Sequence, residues 1–331
     1  MRLYQRFRKR VGSFVFDNTF QFLTAIGRIF LEPWIRGELQ VLRDVPYLGS
    51  GHQAHRLDIY LPRGHRPDQS YPVVLYIHGG AFRILSKESH WMAGIHFARR
   101  GFIVFNINYR LAPQHPFPAP LADVCAAYRW IADHAVRYGG DLDRFVIAGE
   151  SAGANLTTAL TIAACYERHE PWAKTVWNTR LVPRVALPHC GILQVSDPGR
   201  FARRRPIPTW VQDRLAEVDE AYLAGSRAGA TERELADPLL LFERGLPPDR
   251  PLPAYYALVG THDPLLDDTR RLKAALDRLD ALCEVRYYPR QWHGFHLLLG
   301  HPIARRSWRE QDEFLARHLL PRATGRPLVL T

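Results

Sequence analysis

Cysteine is scarce. Cys125, Cys165, Cys190 and Cys283 are the only four in 331 residues, widely spaced and without a CxxC pair. That argues against a disulfide framework or a zinc site, and it fits a reducing compartment. Long apolar runs are also missing. No stretch approaches 18 uncharged apolar residues, which excludes an ordinary transmembrane helix. Internal repeats and low-complexity tracts are absent, and 47% hydrophobic residues exclude a disordered or collagenous chain. A chain of this length buries a large core unaided, as two domains or as one α/β domain with insertions.

Acidic residues are in deficit, 33 against 44 Lys and Arg, giving a formal charge of +11. The surplus is local. Residues 1–10 carry Arg2, Arg6, Arg8, Lys9 and Arg10 with no acid, and 200–205 carry Arg200, Arg203, Arg204 and Arg205 with no acid. The rest is close to neutral. No basic face with interleaved aromatics emerges, so nucleic acid is excluded as a partner. Asp17 and Asn18 interrupt the apolar part of the first thirty residues, unlike a signal peptide. Phe16, Phe20, Leu23, Ile26 and Phe30 follow helical spacing and predict an amphipathic helix over 14–31. Such a helix either lies on a membrane surface or packs its stripe on the protein's own core or lid, the commoner use. A cytoplasmic location is expected. Peripheral membrane contact through residues 1–31 and a homodimer are left open.

From residue 39 short apolar strands alternate with helical stretches. Strands are expected at 39–45, 56–61, 72–77, 102–107, 144–148, 185–195, 254–259 and 284–289. Helices are expected near 88–100, 119–138, 152–168, 209–224, 268–281 and 302–319. This alternation predicts an α/β fold with a mostly parallel, doubly wound central sheet and helices on both faces. The turn Leu48-Gly49-Ser50-Gly51 suggests that the first two strands form an antiparallel edge hairpin. The Arg- and Pro-rich segment 198–250 breaks the rhythm and reads as a cap insertion over the C-terminal edge of the sheet, where pockets of open α/β sheets lie. Residues 1–38 form an N-terminal helical cap segment, and 39–325 the catalytic domain.

Four motifs carry chemistry. Gly149-Glu150-Ser151-Ala152-Gly153 lies between an apolar strand and a helical stretch, as a nucleophile elbow requires. Small neighbours let the chain turn and expose the Ser151 Oγ at a helix N-terminus, where the dipole favours developing negative charge. His78-Gly79-Gly80-Ala81 follows the strand ending at Ile77. The N–H groups of Gly79, Gly80 and Ala152 are expected to hold an oxyanion. Asp263 follows a late strand, where a triad's acid belongs, and Asp267 reads as a cap of the next helix. His293 follows the last strand and would take the Ser151 proton; His262 and His296 are its competitors. The order Ser151, Asp263, His293 is that of an α/β-hydrolase triad. Tyr109-Arg110-Leu111-Ala112-Pro113 and the prolines after it read as scaffold, with an Arg110–acid pair pinning the loop under the oxyanion turn.

Together these residues resemble the hormone-sensitive-lipase-like branch of the α/β-hydrolase carboxylesterases. The resemblance rests on HGGA at 78–81, YRLAP at 109–113 with HPFPA at 115–119, GESAG at 149–153, DPLLD at 263–267 and HGF at 293–295, and covers about residues 40–320. It implies an α/β-hydrolase fold with a helical cap, hydrolysis of short- to medium-chain carboxylic esters through an acyl-enzyme, and no metal or organic cofactor. It also implies a triad of Ser151, Asp263 and His293. Amide deacylation, a membrane-associated lipase and a non-catalytic small-molecule receptor are the alternatives. Two positions depart from the family: Ala81 stands where a third glycine is usual, and Glu150 where aspartate is common.

Overall fold

The computed structural model describes residues 27, 29, 30, 32, 34, 37, 39–224, 232–298 and 300–319. Most of the predicted 14–31 helix therefore lies outside the described residues. So do 225–231 of the insertion.

Among the described residues eight strands form one sheet: β1 (Gln40–Pro46), β2 (Arg56–Leu61), β3 (Tyr71–Ile77), β4 (Ile103–Ile107), β5 (Gly140–Glu150), β6 (Val185–His189), β7 (Ala254–Gly260) and β8 (Cys283–Tyr288). Their order is β1-β2-β4-β3-β5-β6-β7-β8. β1 and β2 form the expected antiparallel hairpin, β2 joins β4 antiparallel, and all other pairings are parallel. The central strands are apolar on both sides because helices cover both faces. One core cluster contains Val73, Leu75, Ile77, Phe105 and Ile147; the other contains Val74, Tyr76, Val104, Val146 and Leu258.

From residue 39 onward, the α-helices among the described residues are α1 (Trp91–Arg99), α2 (Ala119–His134), α3 (Ala152–Cys165), α4 (Pro171–Trp177), α5 (Arg200–Arg204), α6 (Thr209–Tyr222), α7 (Pro238–Glu243), α8 (Leu266–Arg278) and α9 (Pro302–His318). Every residue of α3 is buried. A sequence of small and apolar residues without a charge, AGANLTTALTIAAC, suits a helix enclosed all round. The strand expected over 185–195 ends at His189. Cys190 has φ 38 and turns the chain out of the sheet. The segment 198–250 carries α5 and α7 as well as the expected helix α6, whose N-cap position is Pro208 rather than Thr209.

The loop between β3 and α1 is pinned from below. The Lys87 Nζ, wholly buried, bonds to Asp58 at 2.8 Å, Asp44 at 2.9 Å and Glu88 at 2.5 Å. Its backbone N–H donates to Asn108 Oδ1 at 2.7 Å. A buried ammonium is tolerated only with such partners.

Candidate active site

β5 delivers Ser151 at its C-terminal end, and α3 begins one residue later. Ser151 has φ 56 and ψ −115, a strained backbone for a residue with a Cβ. The turn closes only because its neighbours are glycines. A Cβ on Gly149 would lie 2.6 Å from the Gly153 carbonyl oxygen, and one on Gly153 would strike the Ile77 carbonyl. The segment after β6 braces the elbow: Ser151 N–H donates to His189 O at 3.0 Å, and Ile192 N–H donates to Ser151 O at 3.3 Å.

Asp263 and His293 meet above β7 and β8. Asp263 is wholly buried; its Oδ1 accepts Leu265 N–H at 2.8 Å, and its Oδ2 takes the Nδ1 of His293 at 2.9 Å. A proton shared there belongs on Nδ1, leaving Nε2 as the acceptor. Burial works against charge on His293, but the adjacent Asp263 carboxylate outweighs it and raises the imidazole well above its ordinary value. The competitors are elsewhere. His262 is exposed, and His296 is buried with neither ring nitrogen partnered among the described residues. Ser151 Oγ makes no hydrogen bond to His293 among the described residues; such contacts commonly tighten with substrate bound. Asp267 lies in the first turn of α8, not at its cap, which is Leu265.

The 78–81 turn, expected to hold an oxyanion, departs from that expectation at one donor. The Gly79 N–H is taken by Glu150 Oε1 at 2.5 Å. Gly80 and Ala152 keep backbone N–H groups with no partner among the described residues. Gly79 must be glycine, since a Cβ there would sit 2.6 Å from the same carboxylate oxygen. Gly80 has φ +103, and Ala81 and Phe82 have φ 57 and 59. Ala81 therefore holds a left-handed conformation that a third glycine would adopt without strain.

Glu150, whose role the sequence did not reveal, organises the floor of the site. Its Oε1 also pairs with His90 Nε2 at 2.7 Å, and its Oε2 accepts the Tyr76 hydroxyl at 2.5 Å. Burial opposes its charge, but His90 and the hydrogen bonds prevail and hold the carboxyl at about 2. The same pair raises His90, against the pull of burial. Three further buried histidines surround it, and desolvation lowers each: His78 and His296 to about 3, and His189 to about 4. His78 stacks on Tyr109 with ring centroids 4.2 Å apart, and the Tyr109 hydroxyl donates to His78 O at 2.8 Å. Arg110 and Asp123 form the expected scaffold pair, with Nη2 to Oδ1 at 2.7 Å and Nε to Oδ2 at 2.9 Å.

Two further neighbours escaped the sequence reading. Cys190 Sγ lies within 4.8 Å of ligand atoms of both Asp263 and His293. The 200–205 arginines, counted as surplus charge, are engaged. Arg200 bonds to the buried Asp268 at 2.6 Å, Arg203 to Asp197 at 2.5 Å, and Arg204 lies 3.9 Å from Asp267. Arg205 donates to the carbonyls of Thr261, at 3.1 Å, and Asp263. Residue spacing alone carries no signal for contacts made across 58 positions.

Residues 74–297 match the family model described as alpha/beta hydrolase fold. The chain belongs to that family. The hydrolase is 30% identical over 289 residues to the esterase LipI of Mycobacterium tuberculosis, covering 81% of this chain and 83% of the relative. An esterase structure from the bacterial hormone-sensitive lipase family superposes with a TM-score of 0.65 at 26% identity, covering 86% of each chain. The esterase LipW of Mycobacterium marinum shares the fold with a TM-score of 0.73 at 23% identity, covering 93% of this chain and 90% of that one.

Proposed function

We propose that this hydrolase is a serine carboxylesterase acting on short- to medium-chain esters through an acyl-enzyme. The observation that carries the reading is the buried Asp263 carboxylate on His293 Nδ1 at 2.9 Å, alongside a strained serine at a strand-to-helix elbow. Ser151 Oγ attacks the ester carbonyl while His293 Nε2 takes its proton. The N–H groups of Gly80 and Ala152 receive the oxyanion, together with that of Ala81, the next along the turn. His293 then protonates the leaving alcohol and activates water to release the acid. The described part of 198–250, whose Arg205 donates to the Asp263 carbonyl, is read as the cap that sets acyl-chain length. Hydrolysis of a p-nitrophenyl ester series tests the reading. The expected result is activity on the butyrate ester that Ser151→Ala abolishes while the fold persists; a variant retaining most activity overturns it.

Peripheral membrane contact is supported by one observation. Ile29, Phe30 and Trp34 are 66%, 65% and 87% exposed on the segment that follows the basic N-terminus. Among the described residues no helix is long and apolar enough to cross a membrane. Exposed large apolar side chains beside basic residues suit an interfacial helix. Co-sedimentation with anionic vesicles should fall when all three become serine; unchanged binding removes this reading.

A further inference from the structure

Cys190 follows His189, the last residue of β6, and its N–H donates to Leu258 O of β7 at 2.9 Å. It is buried, and its Sγ belongs to a cluster in which one ligand atom each of Cys190, Asp263 and His293 lie within 4.8 Å of one another. We propose that these three side chains form a binding site for Zn²⁺, and that occupancy switches the hydrolase off.

The donor set supports the choice of ion. A thiolate, an imidazole and a carboxylate suit Zn²⁺, whereas Mg²⁺ and Ca²⁺ call for oxygen alone. Tetrahedral Zn²⁺ with bonds of about 2.0–2.3 Å places its ligand atoms roughly 3.3–3.7 Å apart. The Cys190 Sγ therefore needs to close on the other two ligand atoms by about 1.5 Å at most, while Asp263 Oδ2 and His293 Nδ1, now 2.9 Å apart, open slightly to admit the ion. The His293 side chain is 35% exposed, which gives the ion an entry and leaves the fourth position to water. Asp263 is already oriented through its Oδ1 by the Leu265 N–H, the kind of outer support that ligating carboxylates have.

Binding forms the Zn–S bond as the Cys190 thiol proton leaves to solvent. The His293 proton moves from Nδ1 to Nε2, so that the Nδ1 lone pair reaches the ion and the imidazole stays neutral. The Asp263 carboxylate exchanges its histidine partner for the metal. Nε2 now carries a proton and no longer serves as a base, so hydrolysis stops. Removing the ion reverses each step.

The inhibition rests on the triad reading above; the binding does not, and the experiment separates them. Zinc chloride is titrated into the full-length protein during p-nitrophenyl butyrate hydrolysis, followed by EDTA. Inhibition that EDTA reverses is expected, with the half-inhibiting concentration raised about tenfold or more in both Cys190→Ala and Cys190→Ser. In parallel, Co²⁺ is added without substrate. Wild type should show a near-ultraviolet thiolate-to-cobalt band that Cys190→Ser lacks and His293→Ala weakens. A wild type without the band, a band that persists in Cys190→Ser, or equal Zn²⁺ sensitivity in wild type and Cys190→Ala overturns the site. A chain that shows the Co²⁺ band but hydrolyses no ester keeps the site and fails the esterase reading instead.

Discussion

Glu150 holds the Gly79 N–H at 2.5 Å, joining the residue before Ser151, the proposed nucleophile, to the first glycine of the turn proposed to hold the oxyanion. On the proposed mechanism the carboxylate sets the spacing between Ser151 and the oxyanion donors, with His90 and Tyr76 fixing it from behind. This positioning turns on geometry, because a misplacement of about 1 Å can cost on the order of 100-fold in rate.

Glu150→Gln should therefore lower kcat on the order of 100-fold while KM changes little. Glu150→Asp, which keeps the carboxylate on a side chain one methylene shorter, should restore part of the loss. Steady-state kinetics on one ester decides it, and an unchanged kcat in Glu150→Gln shows that the turn holds its shape alone.

The Asp263 carboxylate raises His293 against the effect of burial. A general base must be neutral, so kcat/KM should rise with pH through an apparent pKa above the ordinary imidazole value of about 6.5. Asp263→Asn should lower that pKa and reduce kcat by about 10⁴-fold, through the wrong tautomer. A pH profile flat from 5 to 9 contradicts the assignment.

His78, His189 and His296 are buried and kept neutral to about 3, 4 and 3 by desolvation. Their folded values lie below the unfolded one, so the unfolded chain binds more protons under mildly acid conditions. The contribution of these three histidines should be constant above about pH 6.5 and fall toward pH 4, by about 1.4 kcal/mol per pH unit for each. The Glu150–His90 pair does not offset this decline. Stability from raised His90 is fully present below pH 6.5, and that from Glu150, held at about 2, is lost only as pH falls below its unfolded value. Urea unfolding at pH 7 and pH 5 measures the slope, and His296→Leu should flatten it by one histidine's share. An unaltered slope in that variant places the acid sensitivity elsewhere.

Much of this was legible in the residues. Apolar runs located all eight strands, with most ends within two residues, because buried parallel strands have no polar face to disguise them. The strand over 185–195 was overextended, because Ile192, Leu193 and Val195 are apolar for packing after the chain has left the sheet. Asp263 and His293 could be read because each follows a strand in a fixed order. Glu150 could be seen but not interpreted, since its partners His90 and Tyr76 come from other elements and nothing in their spacing marks them. Cys190 carried no signal for the same reason, and Arg200 and Arg205 looked like free charge because Asp268 and the Thr261 and Asp263 carbonyls lie some 55–70 positions away.

Arg200 and Arg205 also bear on how this enzyme can change. They belong to the segment that departs most from the regular strand–helix alternation, yet they grip Asp268 and the backbone of Asp263. The region expected to choose the substrate is thereby fastened to the residue expected to orient the base. A cap transplanted from a relative would bring a new pocket and, unless it carried equivalent arginines, would also loosen the acid loop. On the proposed reading selectivity and turnover become a linked trait, and engineering one means rebuilding the clasp that serves the other.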